Sequence, residues 1–234
     1  MKKLILLALV SGCTTVASED ILTHGMYADI DARANANGET TVSTTLYLGS
    51  PINLDFIELS AGDQLVATNS PDTKVMQETS ILNIVSYHAT FQTTDEDEVF
   101  EIGLERSVDS GAPSSLVSLP SPFTIIPPVT SQSRAASMSI AWSPAATTEK
   151  MSWTAKGTCI ESTGEALAGD PGSFVIPAGR LIKRVPQGAE AGPDSCQVTI
   201  EISRQREGDL DPGYGKGGTI FGTQSRTTTF TTTP

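Results

Sequence analysis

The chain has 234 residues, of which 38% are hydrophobic and 6% aromatic, and its formal net charge is −12. This length corresponds to one or two domains, and the negative charge argues against binding to nucleic acid. The chain contains 29 Thr, 25 Ser, 20 Gly and 14 Pro, a composition that favours short strands and turns over helices. It has no apolar run of about 18 residues that would predict a membrane-spanning helix.

The first 12 residues have the three regions of a secretory signal peptide: Lys2 and Lys3, an apolar run over residues 4–10, and two small residues. The end of this segment, Val10-Ser11-Gly12-Cys13, resembles the lipobox of bacterial lipoproteins. The resemblance implies cleavage before Cys13 and lipidation of its thiol, and thus attachment to a membrane. Thr14 in place of Asp favours the outer membrane of a Gram-negative cell. A plain signal peptide cut elsewhere, or a chance cysteine, is the alternative.

Charge and proline divide the rest of the chain. Residues 13–22 are predicted to be the lipidated cysteine and a tether that reaches at most ~30 Å. Residues 19–120 carry 17 acidic and three basic side chains, whereas ten of each sign follow from residue 121 onward. Four prolines make residues 119–130 a stiff junction. We therefore predict an acidic β-sandwich over 23–118 and a second β-sandwich over 131–234.

The acidic module begins with an alternating hairpin. Its apolar residues lie on one face only if the loop has three residues, 36–38, so that Ile30 pairs with Thr44. Further strands are predicted over 54–59, 64–68, 81–91 and 99–106. In the strand over 81–91, His88 points away from the core.

In the second module, residues 136–144 end in Trp142-Ser143-Pro144. This pattern resembles the second strand of fibronectin type III and bacterial immunoglobulin-like modules. Residues 172–179 and 197–203 resemble their strands E and F, although no Tyr stands at the start of strand F. The spacing of strands and turns predicts an all-β chain of two antiparallel β-sandwich modules. The resemblance implies an immunoglobulin- or fibronectin-III-like topology for the second.

Cys159 and Cys196 lie on strands that would be neighbours in one sheet. In an exported chain the pair predicts a disulfide, which would contribute roughly 3 to 4 kcal/mol in the chain-entropy model. A redox or metal role is the alternative, but neither cysteine belongs to a CxxC motif and no histidine lies nearby in sequence.

Two segments are candidates for binding. The loop containing Asp209, Asp211 and Tyr214 connects the last two strands, at a position where sandwich folds often bind ligands; a plain hairpin loop is the alternative. The run Asp95-Glu96-Asp97-Glu98 offers carboxylates that calcium could use, but its spacing matches no EF-hand loop. We expect a solvated acidic turn there, and no other cofactor.

Catalytic motifs are absent from the sequence. His24 and His88 have no Cys, Ser or carboxylate partner at motif spacing, and GxSxG, HExxH and SxxK do not occur. Gly213, Gly215 and Gly218 spell GxGxxG, but a predicted strand follows them where a dinucleotide site needs a helix.

These features favour a cell-envelope lipoprotein with a non-catalytic structural or binding role toward an unknown envelope protein or glycan. An adhesion or carbohydrate- or peptide-binding module is one alternative, and a hydrolase or accessory subunit of an enzyme complex is another. A row of solvent-facing aromatic residues would favour adhesion, whereas a concave pocket with convergent polar groups would favour an enzyme.

Overall fold

The structure is a computed structural model that describes residues 14–53, 55–145, 147–185 and 193–234. The predicted signal peptide, residues 1–12, and the predicted lipidation site Cys13 lie outside the described residues. The strands, in chain order, are β1 (Thr14–Ala17), β2 (Met26–Ala34), β3 (Thr40–Leu48), β4 (Asp55–Glu58), β5 (Gln64–Asn69), β6 (Asp72–Val75), β7 (Gln77–Ile81), β8 (Ile84–Phe91), β9 (Val99–Glu105), β10 (Ala112–Ser118), β11 (Thr124–Ile126), β12 (Ser131–Ser133), β13 (Met138–Ser143), β14 (Lys150–Gly157), β15 (Thr163–Ala166), β16 (Ser173–Ile176), β17 (Cys196–Glu207) and β18 (Gly218–Thr233).

The helices of the described residues are short 3-10 turns, at Ser18–Asp20, Thr23–Gly25 and Pro51–Asn53. None of the helices in the described ranges has the length and apolar character needed to cross a bilayer. The fold is all-β, as the sequence predicted.

The first hairpin has the predicted register. Ile30 pairs with Thr44, and the Asn35 N–H donates to the Glu39 carbonyl at 2.9 Å. The three residues between them form the loop, in which Gly38 has φ +87°, a conformation that favours glycine. Burial alternates along β2, which puts its apolar side chains on the core face.

The first module is a sandwich of β8-β3-β2 against β10-β9-β5-β6. Phe91 and Phe100 meet edge to face in its core, with ring centroids 5.3 Å apart, and His88 lies on the outer face, as predicted. The segment that contains β6 and β7 joins the two sheets, since β6 pairs with β5 and β7 pairs with β8. At the other edge, Leu116 of β10 forms a β-bridge with Asp209.

The predicted tether is part of this module, so that expectation is wrong for residues 14–22. Strand β1 pairs in parallel with β4, beginning with Thr14 opposite Asp55. The buried Arg106 side chain then donates to the carbonyl oxygens of Ser18, at 2.5 Å, and Ile21, at 2.8 Å. Because Arg106 also pairs with Asp63 at 2.9 Å, the segment is held by buried polar contacts that sequence spacing does not reveal.

The second module has the immunoglobulin-like arrangement of two sheets, β11-β13-β16 and β15-β14-β17-β18. The predicted strands over 136–144, 172–179 and 197–203 correspond to β13, β16 and β17. Trp153 stacks on Phe174 in the core, with centroids 5.1 Å apart. Cys159 and Cys196 form the predicted disulfide, which joins the end of β14 to the start of β17.

The long hairpin of β17 and β18 belongs to both modules. Strand β18 has 16 residues, about 53 Å at about 3.3 Å per residue, which exceeds the length of one sandwich. Its first part pairs in parallel with β2 of the first module, from Gly218 to Gln224, while its whole second half pairs with β17 in the second. The predicted boundary that assigns all of 131–234 to the second module is therefore wrong for residues around 210–224.

The proline-rich junction lies between the two hydrophobic cores. Leu119 is buried in the first core and Phe123 in the second. Next to it, β18 passes so close to the end of β10 that a Cβ atom on Gly222 would lie 2.1 Å from the Ser118 carbonyl oxygen. The modules are thus joined by packed segments in addition to the covalent connection.

Candidate functional site

In the predicted binding loop, Asp211 and Tyr214 are buried against the first module, whereas Asp209 is exposed. Tyr214 is 2% exposed and lies in the first core. The Asp211 carboxylate accepts hydrogen bonds from the backbone N–H groups of Ser114, at 2.8 Å, and Gly213, at 2.7 Å. Asp209 exchanges backbone hydrogen bonds with Leu116. Burial, and secondarily the charge of Asp211, raises the pKa of Tyr214. These three residues hold the hairpin to β10.

The acidic run lies at the junction of the modules. Asp97 forms an ion pair with Arg206 at 2.6 Å, and the Glu98 carboxylate accepts a hydrogen bond from the Asn69 side chain. Within the described ranges, no group of three or more His, Cys, Asp or Glu side chains is placed to hold a metal ion. The expectation of a solvated acidic turn over residues 95–98, with calcium binding as the alternative, stays a prediction.

Arg206 connects the two modules through this run. It donates to Asp97 of the first module and, at 2.7 Å and 2.9 Å, to Glu149 of the second. Burial alone would lower the pKa of Arg206, but the hydrogen bonds and charges of Glu149 and Asp97 outweigh it and raise the pKa. The arginine therefore stays charged at neutral pH and helps to fix the modules relative to each other.

Neither histidine has an ion pair with a carboxylate among the residues that the structure describes. His88 Nε2 lies 2.9 Å from the Ser86 hydroxyl oxygen. The two residues are two positions apart on one face of β8, a spacing that matches no catalytic motif. On the strands beside β8, His88 stands opposite Gln77 and Ser43. His24 packs against the backbone of Gly215, where a Cβ atom would lie 1.9 Å from His24 Nδ1.

A cleft of about 590 Å³ separates the two modules. The first module contributes Thr94 and the tip of the β2–β3 hairpin, including Asn35. The second contributes Phe123, Thr124, Thr227 and the side chain of Arg226. This volume is within the range of about 300–1,000 Å³ that is typical of small-molecule sites. Its walls carry the ring of Phe123, three prolines and the hydroxyl groups of serine and threonine side chains.

Arg226 is the cation of this cleft, and it has no carboxylate partner among the described residues. It donates to the Ser225 carbonyl at 2.8 Å and to the Gln224 side chain at 2.9 Å. Burial, and secondarily the charge of Arg204, lowers its pKa. The sequence offered one signal, since Arg226 is the only charged residue in 217–234, but no motif surrounds it.

A buried ion pair supports the floor of the cleft. The Arg204 guanidinium lies 4.9 Å from the centre of the Phe123 ring, and that of Arg226 lies 5.6 Å from it. Arg204 is paired with Asp170 at 2.8 Å, and both side chains are fully buried. Asp170 therefore compensates the charge of Arg204, whereas the positive charge of Arg226 remains available to a ligand.

A second polar surface lies on the outer face of the first module. Tyr27 and Tyr47 are half-buried neighbours on β2 and β3, with ring centroids 6.2 Å apart. Beside them is a hollow of about 280 Å³ lined by Asp29, Tyr47 and Phe221. Burial, followed by the charge of Asp29, raises the pKa of both tyrosines.

Comparison with known proteins adds little to this description. No protein-family model matches the chain, and no curated protein matches it. The crystal structure of murine CEACAM1b is similar at 9% sequence identity over 85% of this chain and 96% of that chain, with a TM-score of 0.19. The immunoglobulin-like arrangement of the second module is defined by its strand order.

Proposed function

We propose that this protein is a cell-envelope lipoprotein with a non-catalytic binding role, and that its ligand binds in the cleft between the modules. The observation that carries the proposal is the guanidinium of Arg226, which lines this cleft without a carboxylate partner. The segment ending at Cys13 supports membrane attachment by its resemblance to a lipobox. The ligand carries an anionic group.

Electrostatics supports this choice of ligand. Arginine is always charged in proteins and binds carboxylate or phosphate groups through two parallel hydrogen bonds. A partly buried cation gains more from such a pair than an exposed one, because solvent screens it less. The hydroxyl groups of Thr124 and Thr227 add hydrogen-bonding capacity, and Phe123 supplies an apolar surface. We expect a small acidic ligand, such as an acidic sugar or a peptide with a free carboxylate.

Matched probes test the proposal. Glucuronate and glucose differ in the carboxylate, as do a proline-rich tetrapeptide and its C-terminal amide. The charged member of at least one pair should raise the melting temperature of the full chain, the neutral member should not, and Arg226→Gln should remove the effect. Arg180→Gln, in an exposed ion pair with Glu165, is the control and should respond like the wild type. Equal responses of the wild type and Arg226→Gln would contradict the proposal.

A carbohydrate-binding surface is the second candidate, favoured by the Tyr27–Tyr47 pair on the outer sheet face. The half-buried tyrosine rings offer their accessible faces for stacking on neutral sugars, and Asp29 could accept hydrogen bonds from sugar hydroxyls. Retention on a neutral glycan column should then be lost in Tyr27→Ala and unchanged in Arg226→Gln. A wild type that is not retained on this column would contradict the second candidate.

A further inference from the structure

The turn between β7 and β8 exposes an apolar tip. Ile81, Leu82 and Ile84 are 65%, 87% and 47% exposed. The two turn residues, Leu82 and Asn83, both have positive φ, 52° and 64°. Asn, Asp and Gly are strongly preferred in such two-residue turns, so leucine at the first position has a conformational cost that is not offset by burial against the described residues.

Other exposed apolar side chains lie at the same end of the first module. Strand β8 is antiparallel to β3, with Thr44 opposite Tyr87, so the start of β8 lies at the end of β3 where Leu48 is. Ile52, 86% exposed, follows Leu48 in the chain. Leu22, 67% exposed, precedes β2, whose first residue pairs with Leu48. We call Leu22, Ile52, Ile81, Leu82 and Ile84 the apolar end.

The described chain begins at this end. Tyr47 pairs with Phe56, which puts Asp55 beside Leu48, and Thr14 pairs with Asp55. The residue before Thr14 is Cys13. The tip of the β2–β3 hairpin, which lines the cleft with the second module, lies at the opposite end of the same strands.

We infer that the apolar end inserts into the surface of the lipid bilayer beside the anchor, which makes it a second membrane contact. This inference rests on the proposed lipidation of Cys13. Because the chain enters β1 one residue after that cysteine, no free tether separates the first module from the bilayer. Apolar side chains at such an interface are buried about 5–10 Å into the boundary between headgroups and acyl chains. The second module then points away from the membrane, and the cleft lies between the second module and the apolar end.

Tryptophan reporters test this inference in the full-length lipidated protein, reconstituted into phosphatidylethanolamine–phosphatidylglycerol vesicles. Leu82→Trp and Ile52→Trp place reporters at the apolar end, and Val175→Trp, at a site 58% exposed in the second module, is the matched control. The native Trp142 and Trp153 are buried and contribute the same background to all three variants.

Vesicles containing brominated acyl chains should quench the Leu82→Trp and Ile52→Trp reporters and shift their emission to the blue, while the Val175→Trp reporter stays unchanged. Equal emission in all three variants would overturn the inference while leaving the anchor intact, provided that the proteins float with the vesicles. A blue shift without bromine quenching would show that protein covers the end, and would also overturn it. Failure of the wild type to float would refute the anchor itself, and with it this inference.

Discussion

Replacing Asp170 with Asn should strongly destabilise the protein, because it leaves the buried guanidinium of Arg204 without a counter-charge. Asp170 also accepts hydrogen bonds from Trp142 Nε1, at 2.7 Å, and from the Thr147 hydroxyl, at 2.8 Å. Breaking a buried pair by removing one partner typically costs about 3–5 kcal/mol. We expect a loss of this size in the free energy of unfolding.

Two further variants separate the charge effect from the loss of packing. Glu207→Gln removes one partner of an exposed pair with Lys150 and should cost about 0–1 kcal/mol. Arg204→Met combined with Asp170→Asn removes both buried charges, and should cost less than the sum of the single substitutions because the two sites are coupled.

Urea unfolding followed by tryptophan fluorescence is the assay, since Trp142 donates directly to Asp170. The slope of the unfolding free energy against urea concentration should stay constant across the variants. If Asp170→Asn lies within about 1 kcal/mol of the wild type, the range expected for an exposed pair, the reasoning about the buried pair is refuted.

Three other predictions follow from the same structure. Reducing the bond between Cys159 and Cys196 should lower the unfolding free energy by about 3–4 kcal/mol. Calorimetry should show one transition before and after reduction, because β17 continues from this bond to the first module. Separate transitions would contradict the coupling of the two modules. Burial alone would raise the pKa values of Asp63 and Asp170, but their hydrogen bonds and paired arginines lower both below the ordinary 3.8. The stabilisation from these two carboxylates is therefore complete above their unfolded-state pKa and is lost as pH falls through their folded-state pKa values. Urea unfolding at successive pH values should show declining stability below about pH 4. A flat profile in that range would be inconsistent with the two carboxylate–arginine pairs. Calcium chloride and sodium chloride at matched ionic strength should raise the melting temperature equally, and Asp97→Asn should respond as the wild type does; a calcium-specific gain lost in that variant would establish a site.

Local patterns were sufficient to predict the hairpin between β2 and β3. The alternation of apolar residues and the Asn37-Gly38 pair determine its loop and register, because both act within about ten residues. The strands around Phe91 and Phe100 were predictable for the same reason. In contrast, β6 and β7 were missed because their side chains are mostly exposed and show no alternation.

The shared hairpin could not be predicted from local composition. Gly, Asp and Tyr around residue 214 are typical of an exposed loop, and the burial of Tyr214 depends on β10, about a hundred residues earlier. The cleft has the same origin, since its walls come from residues 35, 36, 38, 94, 122–125, 127, 143, 144 and 226–228. Arg226 stands out because the described part of the chain places no carboxylate partner beside it, which is a property of the tertiary structure.

Detergent phase partitioning of the wild type and Cys13→Ser tests the central claim most directly, namely that the protein is anchored to a membrane through this cysteine. The account predicts that the wild type, expressed in a Gram-negative host, enters the detergent phase in a processed, lipid-labelled form. Cys13→Ser should lose the lipid label and remain unprocessed or appear in the aqueous phase. A wild-type protein that carries no lipid label and partitions into the aqueous phase together with Cys13→Ser would contradict the account.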